Sequence, residues 1–242
     1  MQLKPMCCSD HRRQFLGGSA ALGLVAVGLG GMATSAGAAS LSEAQRNAMT
    51  PDQVVKMMLD GNARFLSGVH KERDFLAEMR ASSAGQFPAA IVLSCVDSRA
   101  AVEVICDLGI GDTFNARVAG NAVNDDILGS MEFACAVEGA KAVVVMGHTA
   151  CGAIKGAIDN VVLGNLTLLL ARFKSAIDAT VYDGARTSKN AVFVDAVART
   201  HVLQAVKTVR DRSPVLAGLE AKGAIKIVGS MYDIASGKVT LV

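Results

Sequence analysis

The stretch KAVVVMGHTACGA, residues 141–153, runs from an unbroken apolar segment through Gly147 into a short polar turn and then into small residues. An apolar run without the polar alternation of a half-exposed strand is the mark of a strand covered on both faces. Three more such runs occur, AAIVLSC at 89–95, TFNARVA at 113–119 and AIKIVGSMY at 224–232. Helix-like stretches separate them at 124–140, at 151–177 and from about Asn190 to Arg212. Upstream, Thr50-Pro51 has the form of a helix cap followed by proline at the first helical position, and Val54, Val55, Met58, Leu59, Ala63 and Leu66 follow near helical spacing. A second, polar helix is expected over Glu72–Ala81. Buried strands alternating with helices predict an α/β fold, with a mainly parallel central sheet of four or five strands flanked by helices.

In such a sheet, ligands gather at the carboxyl ends of the strands, where loops and helix amino termini converge. Two motifs fall on such ends: SCVDSRA at 94–100 and GHTACGA at 147–153. Cys95, His148 and Cys151 can therefore meet in space. Thiolates and imidazole are good zinc ligands, and three protein ligands leave a fourth position open for chemistry. On its own His148-x-x-Cys151 leaves three readings open: a metal pair, half of a redox motif, or two packed core residues. No Cys-x-x-Cys occurs in the chain, which weakens the redox reading.

The amino terminus sets the compartment. Arg12 and Arg13 precede a run without charge from Gln14 to Ser42, rich in Gly and Ala, which suits an export signal better than a bilayer anchor. Arg12-Arg13-x-Phe15-Leu16 resembles a twin-arginine signal, and Ala36-Gly37-Ala38 is a small-x-small cleavage pattern. The expected organisation is a signal over 1–38, cleavage near Ala38/Ala39, and a periplasmic or otherwise exported domain over 39–242 with no stable membrane anchor. Cys7 and Cys8 precede the apolar run and are not placed like a lipidated cysteine. The 204 residues left hold 21 basic and 21 acidic side chains, so nothing points to nucleic acid or an anionic surface. Four cysteines remain, a number that neither requires disulfides nor excludes them in a chain long enough for a full core.

Cys95-x-Asp97-x-Arg99 together with His148-x-x-Cys151 resembles the β-class carbonic anhydrases. The resemblance extends to Gln86-x-Pro88, Phe114-x-x-Arg117-x-Ala119-x-Asn121, Ser130-x-Glu132-Phe133-Ala134, and Tyr232-Asp233 with Gly237-Lys238-Val239, in order and spacing over roughly residues 50–242. It implies one Zn2+ per chain on Cys95, His148 and Cys151, and reversible hydration of CO2 to bicarbonate and a proton by attack of zinc-bound hydroxide. Asp97 and Arg99 are then the catalytic pair, the guanidinium holding the carboxylate ionised. Gln86, Phe114, Ala119, Phe133 and Gly152 form the substrate pocket. Family members whose aspartate closes the site by ligating zinc often carry a tryptophan three residues before the first zinc cysteine. Here that residue is Val92, and the chain has no Trp, so an open site is expected.

The resemblance further implies a homodimer or homotetramer in which Gln86 serves a neighbouring subunit, and the expected export partner is the twin-arginine machinery. Two alternatives stand beside CO2 hydration. One is hydrolysis of carbonyl sulfide or carbon disulfide by the same centre, and the other is a zinc-binding protein without turnover. Cys106 and Cys135 fit helices with apolar neighbours and read as buried thiols, with their disulfide as the alternative. His201 falls in the long helix and reads as core or surface packing, His70 as a loop residue, and Glu132 stays outside the catalytic set.

Overall fold

The computed structural model describes residues 40–242. The signal expected over 1–38, with Arg12, Arg13 and the cleavage pattern, lies outside these residues, as do Cys7 and Cys8. Three helices come first: α1 (Glu43–Ala48), α2 (Pro51–Ser67) and α3 (Phe75–Ser82). Strand β1 (Ala90–Ser94), the short α4 (Val102–Ile105) and β2 (Thr113–Arg117) lead to a 3-10 turn (Ala119–Asn121), α5 (Asp125–Glu132) and a π-turn (Phe133–Val137). Then come β3 (Ala142–His148), α6 (Gly152–Ile158), α7 (Gly164–Ala171), α8 (Lys174–Ala179), α9 (Ala191–Arg212), α10 (Pro214–Ala221), β4 (Lys226–Tyr232) and β5 (Val239–Leu241).

The sheet has the order β2-β1-β3-β4-β5, parallel except for β5, which runs antiparallel on β4. Every residue of β1 and β3 is buried, the reason these strands read as unbroken apolar runs. Ile91, Leu93, Val143 and Val145 face the layer that contains α9, while Ala90, Val92, Val144 and Met146 face α2 and α4. Each aliphatic side chain so buried contributes roughly 1.5–3 kcal/mol. Gly147 in β3 brings α9 close: a Cβ there would lie 2.6 Å from a Val202 methyl. Because β2 is added on one side of β1 and β3 on the other, the order in which strands are laid down reverses between β1 and β3. A cleft opens at the carboxyl ends of strands at such a switch point.

Helix α2 begins as its sequence predicts, with the Thr50 hydroxyl accepting from the Gln53 amide and Pro51 in the first turn. Its buried face departs from the expected stripe, since Ala63 and Leu66 are exposed. Gly61 and Asn62 take their place. Gly61 lies against the Cys106 carbonyl, and the Asn62 side chain bonds the Ile105 and Gly237 carbonyls and the Val239 amide. Helix α3 starts at Phe75, three residues later than expected, because Asp74 caps it. The 151–177 stretch is three helices: α6 ends at Ile158, before Asn160 with φ 54°, and α7 gives way to α8 at Arg172 and Phe173. Helices α1 and α10 were not expected.

Candidate metal centre

Cys95 follows the last residue of β1, and His148 is the last residue of β3, so adjacent parallel strands deliver one thiol and one imidazole to the same end of the sheet. Thr149 and Ala150 turn the chain, and Cys151 caps α6. The ligand atoms of Cys95, His148 and Cys151 all lie within 4.8 Å of one another, and all three residues are buried. His148 Nδ1 lies 2.9 Å from the Thr149 carbonyl. Only an N–H can pair with a carbonyl, so Nδ1 carries the proton and Nε2 keeps its lone pair. That Nε2 is buried and has no hydrogen-bond partner among the described residues. A soft donor set of two sulfurs and one imidazole nitrogen, with an orphaned lone pair among them, fits a zinc ion.

Hydrogen bonding from Cys151 holds the Cys95 thiol down to about 4 in spite of its burial. The Gly120 amide adds a donor 3.2 Å from Cys95 Sγ. Hydrogen bonding to Cys95, with burial, pushes Cys151 up. Gly120 has φ 64°, and a Cβ there would lie 2.4 Å from Phe173 Cζ, so only glycine brings its amide to the sulfur without displacing that ring.

Asp97 and Arg99 form a two-pronged pair, with Arg99 Nε donating to Oδ1 at 2.9 Å and Nη2 to Oδ2 at 2.8 Å. The guanidinium holds the Asp97 carboxyl well below the usual carboxylate range. Asp97 Oδ2 lies 3.9 Å from His148 Nε2, at the edge of the cluster.

Three supports were not read from the sequence. Arg117, at the end of β2, donates to the backbone carbonyls of Cys95 (3.0 Å) and Asp97 (2.6 Å) and so clamps the loop after β1. Asp195 of α9 accepts from the Ala150 amide at 2.7 Å, and Ala150 has φ 55°, a left-handed conformation for a residue with a Cβ. Thr149 donates its amide to the Tyr232 carbonyl and accepts from the Ile234 amide through its hydroxyl. Arg117 belongs to a motif, and its place at a strand end was the available signal. Asp195 offered none.

Of the substrate-pocket residues, Ala119 directly precedes Gly120 in the 3-10 turn, and Gly152 opens α6 with free space where a Cβ would stand. Gln86, Phe114 and Phe133 lie apart from the cluster within one chain. Gln86 is exposed before β1, so five residues of strand, about 16 Å, separate it from Cys95. Phe114 pairs in register with Ile91, below the strand end, and meets Phe133 edge-on with centroids 6.1 Å apart. Both line a different cleft, of about 700 Å³, with Asp125, Asp126 and Gly129.

Cys106 and Cys135 are buried free thiols, pushed up to about 12 by burial, and not a disulfide. His201 is buried in α9, and Glu132 accepts from the Ser213 hydroxyl that caps α10.

The profile described as carbonic anhydrase matches residues 90–239. A carbonic anhydrase of Mycolicibacterium smegmatis is 35% identical over 77% of this chain and 90% of its own length. Carbonic anhydrase 2 of Mycobacterium tuberculosis is 34% identical over the same shares. Among solved structures, the β-carbonic anhydrase CafA of Aspergillus fumigatus superposes with a TM-score of 0.59 at 27% identity, covering 68% of this chain and 79% of its own. With the Cys95, His148 and Cys151 cluster at the switch point of a parallel sheet, these matches place the chain in the β-class carbonic anhydrase family.

Proposed function

We propose that this protein catalyses the reversible hydration of CO2 to bicarbonate and a proton, with one zinc ion per chain held by Cys95, His148 and Cys151. The observation that carries the reading is the buried convergence of two sulfurs and the lone pair of His148 Nε2 within 4.8 Å, beside an ionised Asp97. A zinc ion held there would supply an activated water, its pKa lowered to near 7. Asp97, kept ionised by Arg99, can only accept a hydrogen bond, and its place beside His148 lets it orient the attacking group. The Gly120 amide donates to Cys95 Sγ, and Arg117 fixes the loop that carries both Cys95 and Asp97. The pairing of Asp97 with Arg99 supports an open site.

The remoteness of Gln86, Phe114 and Phe133 from their own cluster supports a site completed by a second copy of the chain, in a homodimer or homotetramer. The twin-arginine motif at Arg12-Arg13 supports export of residues 39–242 to the periplasm after cleavage near Ala38/Ala39. Changing both arginines to lysine should keep the protein in the cytoplasm, and unchanged localisation would refute that part.

Stopped-flow hydration of CO2, with zinc quantified on the same sample, tests the activity. Zinc near one per chain with activity rising through one ionisation supports it. Zinc bound without CO2 turnover defeats it.

A further inference from the structure

A second polar cavity, of about 250 Å³, lies on the far side of the loop that supplies the Gly120 amide. Val123, Arg172, Ser175, His201, Thr208 and Arg212 line it, and no Asp or Glu does. Arg172 makes one long contact, 3.4 Å to the Val123 carbonyl, so most of its donors stay available. Arg212 pairs with Asp125, a side chain 86% exposed, and such a surface pair yields readily to a competing anion. His201 is buried, and its Nε2 has no hydrogen-bond partner among the described residues. Burial lowers its pKa to about 4, against hydrogen bonding to the Asn121 and Gly120 backbone, so the ring is neutral at ordinary pH.

Two planar guanidinium groups at the mouth and a neutral imidazole at the floor form a donor-rich, carboxylate-free lining. Guanidinium forks match the oxygens of oxyanions. The volume lies below the roughly 300–1,000 Å³ of pockets for organic ligands, which suits an inorganic ion with its waters. We propose that this cavity binds a small inorganic oxyanion, bicarbonate or phosphate, between Arg172 and Arg212 with His201 beneath it. The cavity shares no residue with the metal cluster or with the Val92 position. It nevertheless backs onto that cluster, because the His201 ring meets Phe173 edge-on at 4.8 Å and Phe173 fills the space under Gly120.

The test is an NMR titration of the imidazole resonances of the zinc-loaded protein with bicarbonate and, separately, with phosphate. A saturable shift of His201, weakened about tenfold or more in Arg172→Gln and again in Arg212→Gln, is the expected result. Arg80→Gln, on an exposed face of α3, should leave it unchanged. The ion that saturates at lower concentration identifies the source. A shift of His148 alone, no saturable shift of His201, or the same His201 affinity in Arg172→Gln would overturn the proposal.

Discussion

Asp195→Ala tests how the metal-ligand turn is held. Ala150 lies between His148 and Cys151 with φ 55°, and its amide donates to Asp195 at 2.7 Å. A left-handed residue with a Cβ costs roughly 1–2 kcal/mol. A hydrogen bond to a charged acceptor returns about 1.5–3 kcal/mol. Without Asp195 the turn loses that support, and the metal must supply it on binding. At 1.4 kcal/mol per tenfold, zinc affinity measured by chelator competition should fall about 10- to 100-fold. Asp195→Asn keeps an acceptor oxygen and should stay near the parent protein. Ala150→Gly removes the Cβ penalty, so in the Asp195→Ala background it should recover about fivefold or more of the lost affinity. Zinc affinity within about twofold of the parent in Asp195→Ala, or no recovery in the double variant, would refute the reasoning.

Arg99→Ala should raise the pH at which the Asp97 carboxyl protonates, followed by its side-chain carbon-13 resonance. Arg99 holds the Asp97 carboxyl low, so the ionised form persists until pH falls through that low value, and without Arg99 the loss begins nearer the ordinary 3.9 or so; an unmoved midpoint would show that Asp97 does not depend on Arg99. Gly120→Ala drives a Cβ into Phe173 and should lower stability by about 1–3 kcal/mol, a Tm drop of several degrees by calorimetry. Cys151→Ser removes a metal ligand and Gln86→Ala a pocket residue, and each homomer should hydrate CO2 poorly. Co-assembled, they should regain a measurable part of the activity, since some interfaces combine an intact cluster with an intact Gln86. No recovery in confirmed mixed oligomers would place Gln86 outside the partner's site.

The strands were legible because burial on both faces erases polar alternation, as in AIVLS of β1 and AVVVM of β3. The metal cluster was legible because soft donors stood just past two such runs. Asp195 was not, because its partner amide is 45 residues away and a lone carboxylate in a long helix looks like a solvated one. β5 is three residues long and carries no pattern of its own, although a four- or five-stranded sheet left room for it. Ser213-Pro214 is a cap and first-turn proline like Thr50-Pro51, and α10 follows from it, so that signal was present and unread. The 151–177 stretch misled because its apolar residues resume after Asn160, whose left-handed backbone follows the end of α6. Gln86 and Phe133 belong to a pattern whose geometry a single chain does not close.

The register of β1 against β3 pairs Ser94 with Met146, so Cys95 and His148 come together only when the two strands are aligned in that one way. A slip of one residue would carry Cys95 about 3.3 Å along the sheet and turn every side chain of β1 to the opposite layer. The cluster is therefore a proofreader of the sheet. A chain that has paired its central strands wrongly cannot assemble the donor set, so binding of a metal there would favour the correctly aligned molecules.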